Sequence, residues 1–185
     1  MIKEYRFKNL DYIISYPDGY VEGKRYPIIF HAPGAGARGR DLSLIESGIG
    51  LLDRQNEGNE YVSKCLIVIP QCYAQNWFDI YDELRDLCDY IYNAPFTDKH
   101  RFYGSGISMG GYAIYQLFMT FADRFAAGIG CCLRRRNVLE RRTYKRYSAL
   151  DFPRHTGRRY FCGRGYPHDR KITRIRRKGQ TDPVR

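Results

Sequence analysis

At 185 residues the chain is long enough for one domain with its own core. Its net charge of +11 hides an asymmetry. Residues 1–132 hold 13 Lys+Arg against 16 Asp+Glu, a net of −3, whereas residues 133–185 hold 18 against 4, a net of +14. Fifteen of those 18 are arginine, and with a net of −3 the first 132 residues carry no charge signature of a nucleic-acid or anionic-membrane binder. Met1–Leu10 is charged and mixed, and no run approaches 18 apolar residues, which predicts a protein without a membrane span and located in the cytoplasm. The six cysteines show no C-x-x-C spacing and read as buried free thiols.

In chain order, Tyr12–Tyr16 reads as a strand closed by the turn residues Pro17-Asp18-Gly19. Tyr26–His31 is a short apolar run before a glycine-rich loop, as in a buried parallel strand. Asp41–Leu52 is expected to be one helix entered through Asp41. Cys65–Ile69 is a buried strand ended by Pro70. From Asp79 a helix follows, because Ile80, Leu84, Leu87 and Ile91 recur at steps of four, three and four and form one apolar stripe. Arg101–Gly104 is a strand, Gly110–Phe121 a helix, and Ala126–Cys131 the next strand. Alternating strands and helices imply an α/β fold with a mostly parallel sheet. After Cys132 neither period persists.

Gly106-Ile107-Ser108-Met109-Gly110-Gly111 carries the G-x-S-x-G pattern of a nucleophile elbow, with a strand before it and an amphipathic helix after it. Such a turn lifts a serine hydroxyl clear of the sheet and sets it at a helix N-terminus, where developing negative charge is favoured. The glycines let strand and helix approach closely. An acyl-transfer site also needs backbone N–H donors for the tetrahedral oxyanion. One is expected from Met109, the residue after the serine. The other is expected from the loop Pro33-Gly34-Ala35-Gly36-Ala37-Arg38-Gly39, with Ala35 the best candidate. Its spacing is neither G-x-G-x-x-G nor G-K-[ST], which argues against a nucleotide-binding loop. Gly34, Gly36 and Trp77 are candidates to line a substrate cleft; packing is the competing role for Trp77. No His/Cys/Asp cluster has metal-ligand spacing, so neither metal nor cofactor is expected.

Together with Pro70-Gln71-Cys72, Trp77, Thr97-Asp98 and Asp123–Ala127, these motifs resemble the α/β-hydrolase superfamily, and within it bacterial esterases and peptidases related to feruloyl esterases and prolyl-oligopeptidase-type domains. The resemblance covers about residues 10–132. It departs from the family at Pro33, where a loop histidine is usual. It implies a small-molecule ester or acyl substrate and a Ser–Asp–His triad in that order. Ser108 would be the nucleophile. His31 precedes the serine and His100 lies at the wrong end of the elbow strand, so both read as structural. Of His155 and His168, which follow the serine, His168 pairs in the right order with Asp151, as base and acid, although neither stands after a convincing strand.

The chain therefore divides into residues 1–132, the N-terminal and central part of a hydrolase domain, and residues 133–185, an arginine-rich tail. The tail is expected to be disordered or translated out of frame. Glycine codons read one base off readily give arginine, and Ala149–Gly157 can be encoded so that the neighbouring frame reads Leu-Trp-Thr-Phe-His-Gly. On this reading the fold is incomplete at its C-terminal end and the serine hydrolase is impaired. The competing reading is a non-catalytic domain whose basic arm binds nucleic acid or an anionic surface.

Overall fold

The computed structural model describes residues 1–47, 49–132 and 159–164. They form one seven-stranded sheet of order β1-β2-β4-β3-β5-β6-β7. The strands are β1 (Ile2–Phe7), β2 (Leu10–Ser15), β3 (Tyr26–Ala32), β4 (Leu66–Pro70), β5 (Thr97–Ile107), β6 (Ala127–Cys132) and β7 (Arg159–Arg164). β2 runs antiparallel to β1 and β4, and every other pairing is parallel. A mostly parallel sheet with flanking helices is the architecture the alternating pattern implied.

The central strands are apolar on both faces because helices cover both. Ile28, Phe30 and Ala32 of β3 and Leu66 and Val68 of β4 face one way. They pack under α3 (Tyr81–Asn93), through Leu84, Leu87, Cys88 and Ile91, and under α4 (Met109–Thr120), through Ala113, Ile114, Leu117 and Phe118. Ile67 and Ile69 of β4 and Ile13 of β2 face the other way, onto Ile45 of α1 (Ser43–Glu46) and Leu52 of α2 (Gly50–Asn56). α2 is pinned beneath the sheet by Gln55, whose amide donates to the Cys65 carbonyl at 2.8 Å and accepts from the Ser15 hydroxyl at 2.5 Å.

Four elements differ from the sequence-based expectation. β1 was not anticipated, because an edge strand that is mostly exposed carries charges in place of an apolar alternation. The single helix expected over Asp41–Leu52 is two short ones, divided at Ser47, whose extended backbone (φ −112°, ψ 151°) ends α1. β5 begins at Thr97, four residues early, in a polar stretch. Its pairing with β3 shifts register between Tyr26 and Ile28, at Pro27, which has no N–H to give a ladder. β7 lies in the tail where no strand was expected, and it pairs with β6 from Ala127↔Arg159 to Cys132↔Arg164. Parallel pairing asks only for extended backbone beside the β6 edge, so it needs no apolar period.

Phe118 knits α4 to the sheet. Its ring is fully buried, meets Phe125 edge-on at 4.9 Å between centroids, and occupies the space that side chains at Gly104 and Gly128 would fill. Phe118→Ala should lower the unfolding free energy by about 3–5 kcal/mol. Urea denaturation measures this; a loss under about 1 kcal/mol would mean that α4 is not anchored there.

Candidate active site

The site follows from topology. From β3 the chain crosses to β4 on one side, and it later returns to β5 on the other. The carboxyl ends of β3 and β5 therefore mark a topological switch point, the place where open α/β sheets form a ligand crevice. The loop after β3 is Pro33–Arg40, and the turn after β5 is Ser108.

Ser108 has φ 53° and ψ −116°, left-handed backbone that costs a non-glycine residue about 1–3 kcal/mol. Its N–H donates to the Cys131 carbonyl at 2.5 Å, continuing the β5–β6 ladder, and its carbonyl accepts the Tyr112 N–H at 3.4 Å in the first turn of α4. Strand and helix thus hold the residue from both sides. Its hydroxyl makes no capping bond to α4, the usual use of a serine at this position. Half-buried Met109 is the first residue of α4, where an N–H has no intrahelical acceptor. The flanking glycines are required by contact. A Cβ on Gly106 would lie 2.5 Å from the Gly110 carbonyl oxygen, and a Cβ on Gly110 would fall onto the Ala32 carbonyl oxygen.

That approach brings the β3 loop to the serine. A Cβ on Gly34 would stand 3.5 Å from Ser108 Cβ and 3.3 Å from the Ile107 carbonyl oxygen. Ala35 opens a single 3-10 turn, Ala35–Ala37, and is exposed. Gly36 is exposed as well, and among the described residues nothing stands within 4 Å of its missing side chain. Gly34 and Ser108 therefore meet at this switch point, with Ala35 and Met109 next to them in the chain. Trp77 is placed differently from a cleft residue. Its indole is fully buried and donates to the Pro33 carbonyl at 3.1 Å, so it contacts the loop from the protein side. Exposed apolar surface at the elbow comes instead from Ile107. Asp151, His155 and His168 lie outside the described residues.

His100 is exposed near the start of β5, eight residues from Ser108 and so about 26 Å away at the rise of a strand. His31 sits at the carboxyl end of β3 opposite Ser105, and its Nδ1 lies 3.1 Å from Ser105 Oγ. Burial pushes its pKa down to about 4, so the ring is neutral near pH 7. Sequence reading missed three groups that grip the β3 loop: Gln71, Arg38 and the Trp77 N–H. The sequence carries them as a Pro-Gln strand end followed by the chain's single tryptophan, a pattern that does not say which carbonyls they touch. Among the described residues no group of three or more His, Cys, Asp or Glu is placed to hold a metal ion, and no helix is long and apolar enough to cross a membrane.

No protein-family profile and no curated protein matches the chain. Solved structures do. A thermostable esterase superposes with a TM-score of 0.56 at 24% identity, covering 77% of this chain and 43% of its own. Est1E from Butyrivibrio proteoclasticus gives 0.52 at 13% identity, covering 70% and 50%. An S-formylglutathione hydrolase from Staphylococcus aureus gives 0.52 at 16% identity, covering 71% and 56%. Sheet order, elbow and these likenesses define the fold as that of an α/β-hydrolase. The chain spans about half the length of the solved structures it matches.

His31 makes stability depend on pH. Its folded pKa lies below the unfolded value of about 6.5, so the unfolded state takes up a proton that the folded state refuses. Stability is full above pH ~6.5 and falls toward pH ~4, by up to about 3 kcal/mol. Asp11, held low by Arg6, Asp86, held low by Lys8 and Arg85, and Asp98, held low by Arg101, act below that window. His31→Asn keeps a partner for Ser105 and should flatten the urea midpoint between pH 7 and 4.5. An unchanged slope would refute the assignment.

Proposed function

We propose that this chain is the nucleophile-bearing part of a serine hydrolase acting on carboxylic esters, with peptide bonds as a second substrate class. The observation that carries the reading is Ser108, held at φ 53° between β5 and α4 with Gly34 of the β3 loop beside it. The esterases among its structural neighbours support the same chemistry. Ser108 Oγ attacks the ester carbonyl as its proton passes to a histidine. The N–H groups of Met109 and Ala35 hold the oxyanion, and Gly34 and Gly36 border the cleft. Collapse of the tetrahedral adduct expels the alcohol, which takes the proton, and water then frees the acid from the acyl-enzyme. His168 as base, oriented by Asp151, is the pairing in the right order. Because that pair lacks the family's usual setting, the chain turns over slowly in its cytoplasmic location.

With the full chain, a fluorophosphonate should form a covalent adduct on Ser108, located by peptide mass spectrometry. Steady-state hydrolysis of p-nitrophenyl acetate should fall below ~1 per second, the lower end of ordinary enzymes. Ser108→Ala should abolish both. Hydrolysis that survives Ser108→Ala sinks the nucleophile assignment, and ordinary turnover lost in that variant sinks the claim of impairment.

The net of +14 in residues 133–185 supports a second reading, a non-catalytic domain with an arm for nucleic acid or another polyanion. Its affinity for DNA should fall steeply with salt and vanish when residues 133–185 are removed. Salt-insensitive or absent binding rules it out.

A further inference from the structure

The β3 loop needs outside support. It contains Gly34, Gly36 and Gly39, and its own backbone bonds are those of one 3-10 turn, Ala37 N–H to the Gly34 carbonyl at 3.2 Å and Arg38 N–H to the Ala35 carbonyl at 3.4 Å. Such a chain has high conformational entropy to lose. The support comes from the segment after β4, residues 71–77. The Trp77 indole N–H donates to the Pro33 carbonyl at 3.1 Å. The Gln71 amide donates to the Ala37 carbonyl at 3.1 Å and the Asp41 carbonyl at 2.8 Å. Gly39 N–H donates to the Cys72 carbonyl at 3.0 Å. Arg38 donates to the Gln75 carbonyl at 2.6 Å and back to the Ala35 carbonyl at 3.0 Å.

These bonds fix peptide planes. In a trans peptide the carbonyl of one residue and the N–H of the next point in opposite directions. Holding the Pro33 carbonyl on the indole therefore sets the direction of the Gly34 N–H. Holding the Gly34 carbonyl on Ala37 sets that of the Ala35 N–H. Both lie where the loop meets Ser108. Trp77 and Gln71 are buried, so their bonds are made away from competing water.

We propose that Trp77 is a positioning residue, whose indole N–H on the Pro33 carbonyl aims the Gly34 N–H, and with it the turn that carries the Ala35 N–H, at the carbonyl that Ser108 attacks. The inference rests on the reading of Ser108 as nucleophile. Gln71 and Arg38 brace the far limb of the loop.

Because the chain has one tryptophan, global replacement alters this residue alone. Benzothienylalanine keeps the bicyclic shape and replaces the N–H with sulfur, whereas 4-fluorotryptophan keeps the N–H. Two readouts are taken on full-length protein with matched urea midpoints. One is the rate of fluorophosphonate attachment to Ser108, and the other is amide hydrogen exchange over residues 34–37. Losing an oxyanion donor costs about 10²–10³ in rate, so a misaimed one should slow attachment at least tenfold. Benzothienylalanine should produce that slowing together with faster exchange, and 4-fluorotryptophan should restore both. Equal attachment and exchange in the two proteins overturns the proposal. So does equal slowing by both analogues, which would assign the effect to ring packing. If the parent protein gives no Ser108 adduct, the nucleophile reading fails by itself. The exchange data then still decide whether the indole N–H holds the loop, and unchanged exchange overturns the proposal.

Discussion

The approach of α4 to the end of β3 is the constraint on which the site depends. Gly110 lies so close to the Ala32 and Pro33 carbonyls that no side chain fits between them. This sets the distance from the elbow to the β3 loop, and with it the distance from Ser108 to Gly34. It also explains why the glycines flank the serine on both sides: Gly106 clears the first turn of α4, and Gly110 clears the neighbouring strand. The contact is backbone against backbone. It therefore resists rotamer changes and fixes the crevice more firmly than side-chain packing would.

A left-handed serine persists only where its surroundings over-determine it. Here the Ser108 N–H is committed to β6 and its carbonyl to α4. α4 is anchored by Ile114, Leu117 and Phe118 against the sheet. Burial of three such side chains, at roughly 1.5–3 kcal/mol each, exceeds the 1–3 kcal/mol of local strain. The strain is stable because core packing and not the turn itself decides where α4 lies.

The legible parts of the sequence were those where burial writes a period. β3, β4, α3 and α4 were readable because their apolar residues recur at sheet or helix spacing over a full element. β1 and the first half of β5 were not, since exposed or polar strand positions are held by ladder bonds that leave no apolar trace. The break between α1 and α2 is an extended backbone at Ser47, and Asp41–Leu52 carries an apolar stripe across it. The elbow was legible because its geometry admits few residue types. The support of the β3 loop was not, because Trp77 and Gln71 act on main-chain carbonyls more than thirty residues away in sequence. Nothing at the loop itself selects for them, and a buried tryptophan near a strand end looks the same whether it packs or aims a peptide.

The described residues separate two requirements of acyl transfer. On the proposed reading, placing Ser108 beside the N–H groups of the β3 loop needs β3, β5, α4 and the segment after β4, all within residues 1–132. Accepting the serine proton needs a histidine, and neither His31 nor His100 can supply it. His31 is buried, made a weaker base by that burial and engaged with Ser105, and His100 is at the far end of β5. In triad enzymes a site stripped of its base keeps roughly 10³–10⁴-fold acceleration over water through oxyanion stabilisation and binding. If Ser108 is the nucleophile and its base lies in residues 133–185, as proposed, the domain should thus react most readily with activated acyl or phosphonyl groups, whose leaving groups need little protonation. It should act far more slowly on alkyl esters and amides, whose leaving groups need it fully.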